Sequence, residues 1–416
     1  EGVRFCRAAS RTYLATRRFL FPPPPPPPPA LPTHDVQTRT ARKLFVRVEK
    51  AESLLAMDSG GVSDPFATAR WGSVECTTEI VYSTVDPVWD ELAARLGQFC
   101  TFGAIESAYL GNDQRRIRLW GIVLGIAIIT IYSLDSLGQL NVSDTAYHRI
   151  KWNPIGSIIG GLLFGYGMGL AGNCGFGALA KLAGGDLRSL IILIVMALSS
   201  YFILSGPLAS LRVMIFPIEI SNGSNALPQL AKSLLGINPI IIASLISLIL
   251  ILWALNYKPL RQDAAMVIWS VLAGLSIAAA FWGTYELNIS SLAEIPVQGH
   301  TFTAPLGKTL LYMMTSSSSS LSFPIGSVIG VIFGAFIGSI IKGHFRWEAC
   351  EDARELGRQM LGAVLMGFGG VIAMGCSIGQ GVSAFSTLAI SGPITLAAII
   401  IGSILAIRKI LTGYQP

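Results

Sequence analysis

Two cysteines stand where a polar group is costly, inside glycine-studded apolar stretches: Cys174 in GLAGNCGFGAL and Cys376 in AMGCSIGQG. A neutral thiol there offers a weak S–H donor, which suits fleeting contact with a small anion. The alternative is nucleophilic: a thiolate attacks a sulfane sulfur and carries it as a persulfide, which requires a cation or histidine to depress the thiol pKa. Neither motif holds one, Lys181 lying seven residues beyond Cys174. A single buried cysteine is usually a small hydrophobe, but these two occupy matched positions. Superposing them pairs Gly160 with Gly362, Leu163 with Leu365, Gly165 with Gly367, Gly167 with Gly369, Ala171 with Ala373 and Gly177 with Gly379, so the chain is internally repeated. Gly175, Gly177, Gly375, Gly379 and Gln380 complete the candidate site. Cys100, in GQFCTFGAIESA, follows a similar aromatic and glycine-rich run but ranks last on pattern, because Glu106 and the polar stretch 112–118 suggest a membrane interface.

Such broken backbone is tolerated in a bilayer only where it is buried in protein or lines a cavity. Two broken segments at corresponding places of two repeats are the sequence signature of a transporter's central site. The composition agrees. Of 416 residues, 52% are hydrophobic and 13% charged, and the mean hydropathy of +0.58 is that of a polytopic membrane protein. Segments 117–138, 154–173, 188–205, 239–256, 264–285, 321–341, 360–390 and 395–411 are long and apolar enough to span, while 99–111 and 303–315 are too short or too mixed to assign. The all-α membrane part is expected to cover residues 93–416.

Lys and Arg gather at 115–118, at 258–261 and through 342–358, whereas 286–302 has neither, so the three basic loops are expected to face the cytoplasm and 286–302 the outside. The charged stretch 346–359 reads as a surface helix, and Ser316–Ser320 as a cap and loop. Gly326, Gly330, Gly334 and Gly338 fall four apart, a groove expected to serve packing against another backbone.

The net charge of +6 resides in residues 1–43, which hold eight Lys/Arg against two acids; the remainder carries 22 of each sign, so no nucleic-acid surface is expected. This basic start is compatible with an organelle presequence or with an arbitrary basic tail. Eight prolines at 22–29 form a stiff spacer within a disordered tail over 1–42. Residues 43–91 switch to strand-like alternation with Gly/Asp/Pro turns. The six cysteines, including Cys6, Cys76 and Cys350, are far apart and form no CxxC or Cys/His cluster, so neither a metal, a cofactor nor a disulfide framework is expected.

The run LFVRVEKAESLLAMDSGGVSDPFATARW resembles the first half of a C-two domain, a calcium- and lipid-binding β-sandwich, and most of all those of plant multiple-C-two-domain transmembrane proteins. The resemblance implies weak calcium candidates at Asp58 and Asp64, although the later Asp-x-Asp loop lies outside the matched half. As turn residues, the two aspartates need no metal.

Over about 93–411, GQFCTFGAIESAYLG, GLLFGYGMGLAGNCGFGALAKL and RQMLGAVLMGFGGVIAMGCSIGQGVSAFS resemble the YeeE/YedE sulfur-transport family. That resemblance implies an inverted-repeat helical bundle importing thiosulfate, with Cys100, Cys174 and Cys376 lining the path and passing the anion by S–H contacts. It promotes Cys100 from last place. It implies a small sulfur anion and the lipid bilayer as partners, no enzyme activity, and a cytoplasmic sulfur-carrier protein as recipient. Other expectations left open are a selenium or other sulfur cargo, a membrane sulfurtransferase, and a lipid tether built on the C-two part. In the family a full helix leads into the first cysteine motif, whereas here the C-two-like stretch takes its place; a genuine fusion and a chimeric gene model are both left open, and one transcript spanning 80–100 would separate them.

Overall fold

The computed structural model describes residues 68–71, 74–77, 100–111, 113–150, 152–216, 228, 236, 238–290, 295–317, 320–341, 345–348 and 353–413. The chain forms two compact units, Glu1–Val88 and Trp89–Pro416. In the first, β1 (Thr68–Trp71) and β2 (Val74–Thr77) make an antiparallel ribbon with Thr68 opposite Thr77 and Trp71 opposite Val74. Asp58 and Asp64 lie outside the described residues.

The second unit is helical: α1 (Thr101–Tyr109), α2 (Arg115–Ser136), α3 (Pro154–Ala171), α4 (Gly175–Ala183), α5 (Leu187–Leu204), α6 (Ala209–Ile215), α7 (Pro239–Leu255), α8 (Ala264–Ser290), α9 (Ala304–Thr315), α10 (Phe323–Ile341), α11 (Ala353–Ile372) and α12 (Ser391–Gly413). Proline opens both α3 and α7 behind an asparagine cap: Asn153 Oδ1 accepts from Gly156 N–H at 2.9 Å and Asn238 Oδ1 from Ile240 N–H at 3.4 Å. Proline lacks the N–H that a first-turn position would leave unpaired, so it starts a helix without loss.

Glycines decide how these helices meet. A Cβ on Gly160 would lie 2.5 Å from Ala373 N and 2.7 Å from Gly369 O; one on Gly362 would lie 2.7 Å from Ala171 N and 2.5 Å from Gly167 O. As residue numbers rise along α3 they fall along α11, so the two run antiparallel and cross backbone to backbone. The contacts are reciprocal under the repeat pairing, which places a two-fold axis across the helices and makes the repeat inverted. The flanks obey the same rule: Gly165 of α3 abuts Ile399 of α12, and its counterpart Gly367 of α11 abuts Met196 and Ser199 of α5. Lipid tails are as apolar as leucine, so close van der Waals packing through small residues has to hold such a bundle together. Outside this heart, α2 packs on α7, where Ser247 Oγ donates to Gly125 O at 2.7 Å, and on α8, where Gly274 meets Val123 and Ile126.

Several expectations need correcting. Among the described residues six helical stretches, α3 and α4 counted as one, are long and apolar enough to cross a membrane, rather than eight. The stretch 360–390 is not one span. Helix α11 stops at Ile372, Met374 takes φ +60°, and a π-helical turn occupies Gly379–Ala384. The charged stretch 346–359 is no separate surface helix: residues 345–348 are not helical, Glu348 forms an isolated β-bridge with Asp186, and Ala353 begins α11 itself. The loop 286–302 is shorter than expected at both ends, because α8 continues to Ser290 and residues 300–303 turn back into the bundle. Finally, a Cβ on Gly326, Gly330 or Gly334 would meet nothing within 4 Å, so among the described residues no backbone fills that groove.

Candidate functional site

Helix α3 ends at Gly172, whose left-handed φ of +73° suits glycine, and two residues later Cys174 caps α4. Its Sγ accepts from Gly177 N–H at 3.4 Å. The second repeat does the same after α11: Cys376 Sγ accepts from Gly379 N–H at 3.3 Å. Each thiol therefore satisfies an N–H that a starting helix leaves without a partner, which explains why a cysteine can take the place of the usual Ser or Asp cap. Both are buried, at 1% and 2% exposure.

Cys376 has two further neighbours that sequence reasoning missed. Phe302 donates its backbone N–H to Sγ at 3.3 Å, and Thr301 Oγ1 lies 3.8 Å away. Phe302 reaches the other motif as well. Its ring packs on Phe176 at 5.3 Å, and its carbonyl oxygen lies 3.6 Å from where a Cβ on Gly175 would sit. No thiol or charge marks His300–Thr303 in the sequence; the only signal is its position ahead of a short helix, as Cys100 stands ahead of α1.

Cys100 is buried and occupies the N-cap position of α1. A Cβ on Gly177 would lie 3.4 Å from Cys100 Sγ and 3.7 Å from Cys174 Sγ, so these two sulfurs border one spot. Thr101 Oγ1 donates to Ser377 Oγ at 2.8 Å, tying the first motif to the third. Hence all three cysteine motifs meet. At Gly375 and Gln380, Gln380 Nε2 donates to Met374 O at 3.2 Å and its Cγ lies against the space beside Gly375.

Among the described residues the fully buried polar side chains are Ser, Thr, Asn and Gln, and none is charged. Helices α1, α4 and α9 all begin at this centre, and their N-terminal dipole ends supply partial positive charge. A half-buried cation stands beside the first motif: a Cβ on Gly103 would lie 2.7 Å from Arg116 Nη1 and 3.8 Å from Cys100 Cβ. No group of three or more His, Cys, Asp or Glu that could hold a metal occurs among the described residues.

Residues 96–405 match the family model described as sulphur transport. The chain belongs to the sulphur transport family. Two relatives are similar over most of their length, each described as thiosulfate transporter TsuA. The one from Escherichia coli is 26% identical over 321 residues, covering 74% of this chain and 87% of the relative; that from Spirochaeta thermophila is 26% identical over 323 residues, covering 74% and 92%. With six membrane-length helical stretches among its described residues, this member of the sulphur transport family is a multi-pass integral membrane protein. Ahead of the transport region, residues 42–94 match the C2 domain family model.

Proposed function

We propose that this chain carries thiosulfate, or a closely related small sulfur-containing anion, inward across the bilayer along Cys100, Cys174 and Cys376. The observation that carries the reading is the paired capping of Cys174 and Cys376 at the broken centre of an inverted repeat. A thiol whose lone pair accepts an amide N–H can still turn its S–H toward an anion. Amide dipoles, S–H groups and helix N-termini are each weak toward a dianion, and weak contacts in series allow both uptake and release. A buried Lys or Arg would hold the anion too tightly for passage.

At Cys376 no observation favours a sulfurtransferase. The atoms against Cys376 Sγ are amide N–H groups and a hydroxyl, none of them a cation that would stabilise an attacking thiolate. A cytoplasmic sulfur carrier receiving the anion is a further part of the proposal, argued from the direction of import.

The test is uptake of radiolabelled thiosulfate in cells that lack their own importer, with Cys100→Ala, Cys174→Ala and Cys376→Ala beside the wild type. Import by the wild type and its loss in the variants is the expected pattern; three variants matching wild type would remove the cysteine path. Competition by unlabelled selenosulfate or sulfite separates the cargo alternatives.

A further inference from the structure

We infer that Thr301 is a fourth path residue, the second repeat's counterpart of Cys100, offering a hydroxyl where the first repeat offers a thiol. The inference rests on the transport reading above.

The argument is geometric. Gly177 and Gly379 are equivalent by the repeat, each three residues past its cysteine and each donating its N–H to that cysteine's sulfur. A Cβ on Gly177 would come to 3.4 Å from Cys100 Sγ. A Cβ on Gly379 would run into Thr301 Oγ1 and would lie 2.9 Å from Thr301 Cβ. In both halves a polar atom therefore stands off the Cβ direction of the equivalent glycine, the oxygen closer than the sulfur. Both residues also precede a short helix that starts at the centre, α1 after Cys100 and α9 after Thr303.

A second observation is independent of the pairing. Thr301 Oγ1 lies 3.8 Å from Cys376 Sγ, close enough for an anion oxygen to be shared between hydroxyl and thiol. Unlike the three cysteines, Thr301 is only partly buried. The next residue back, His300, lines a cavity of about 490 Å³ with Phe323, Ser327 and Gly330. Thr301 thus follows a cavity-lining residue in the chain and touches Cys376. A hydroxyl is the harder donor and suits the sulfonate oxygens of thiosulfate, while the thiols suit its polarisable terminal sulfur. The path is asymmetric in chemistry although built on a two-fold.

The experiment compares Thr301→Val, Thr301→Ser and Thr301→Cys with the wild type in the same uptake assay, each normalised to the amount in the membrane fraction. Valine keeps the volume and loses the hydroxyl, so uptake is expected to fall roughly tenfold. Serine keeps the hydroxyl and loses a methyl group, and is expected to stay within about twofold of wild type; a packing role for Thr301 would give the opposite order. Cysteine, which makes the two halves alike, is expected to retain uptake. Valine at wild-type rate, or serine as impaired as valine, overturns the inference while leaving the transport reading intact. Absence of uptake by the wild type overturns the transport reading and this inference with it.

Discussion

Phe302 gives its backbone N–H to Cys376 Sγ at 3.3 Å while its ring packs against Phe176, two residues beyond Cys174. One residue of a re-entrant segment thereby touches both halves of the repeat. Each motif is held by the other half of the protein as well as by its own helix, and the predictions below follow from that mutual support.

Loss of a thiol that donates to an anion removes a hydrogen bond to a charged group, worth about 1.5–3 kcal/mol, so Cys174→Ala and Cys376→Ala should each lower uptake roughly 10- to 100-fold. Cys376→Ser should recover part of the loss, because a hydroxyl still caps Gly379 and still donates. Initial uptake rates at limiting thiosulfate decide it, and an alanine variant at wild-type rate would remove that cysteine from the path.

Gly160→Val and Gly362→Val should destabilise alike. The first Cβ would press within 2.5 Å of Ala373 N and the second within 2.5 Å of Gly167 O, both backbone atoms of the opposite central helix. Overpacking of this kind costs about 1–3 kcal/mol and often more. Gly330→Ala, with nothing within 4 Å, should be neutral or slightly stabilising through its helix propensity. Thermal unfolding of the detergent-solubilised protein should rank the three variants in that order.

The Thr101–Ser377 hydrogen bond of 2.8 Å links the first cysteine motif to the third. Thr101→Val should cost about 1 kcal/mol, and the double variant with Ser377→Ala less than the two single changes added. Strict additivity in the same unfolding measurement would mean that the two hydroxyls do not interact.

Acid should loosen the loop between α2 and α3. His148 sits there with Nε2 at 3.1 Å from Thr387 O and with Nδ1 buried and lacking a partner among the described residues. Burial is the main cause that pulls its pKa from 6.5 down to about 4, opposed by the bond to Thr387. The unfolded chain then binds the proton more readily, so stability is full above about pH 6.5 and is lost as the pH falls toward 4. His148→Gln should flatten the pH dependence of the melting temperature over that window; an unchanged slope would sink this account.

The two cysteine motifs, the matched glycines, the helical membrane class and the family resemblance were all legible in the chain, because each is a local pattern: apolar length, glycine spacing, a thiol at a fixed offset. The inversion of the repeat was expected from the family resemblance, yet only the antiparallel crossing of Gly160 over Ala373 and of Gly362 over Ala171 exhibits it. Residues 360–390 read as one span because hydropathy registers apolarity and is blind to Met374 at φ +60° and to the π-helical turn that follows. The segment 286–302 read as an outer loop because its backbone polar groups are paired only in the folded chain, where Ser383 Oγ donates to His300 O at 2.8 Å and Cys376 takes up the N–H of Phe302. Thr301 was the least visible. Nothing in HTFT matches FCTF residue for residue, and its likeness to Cys100 exists only as a position in space beside a glycine. Local sequence thus determined which residues can do chemistry, whereas tertiary contact decided which of them share one centre, because that depends on how close two backbones come where neither carries a side chain.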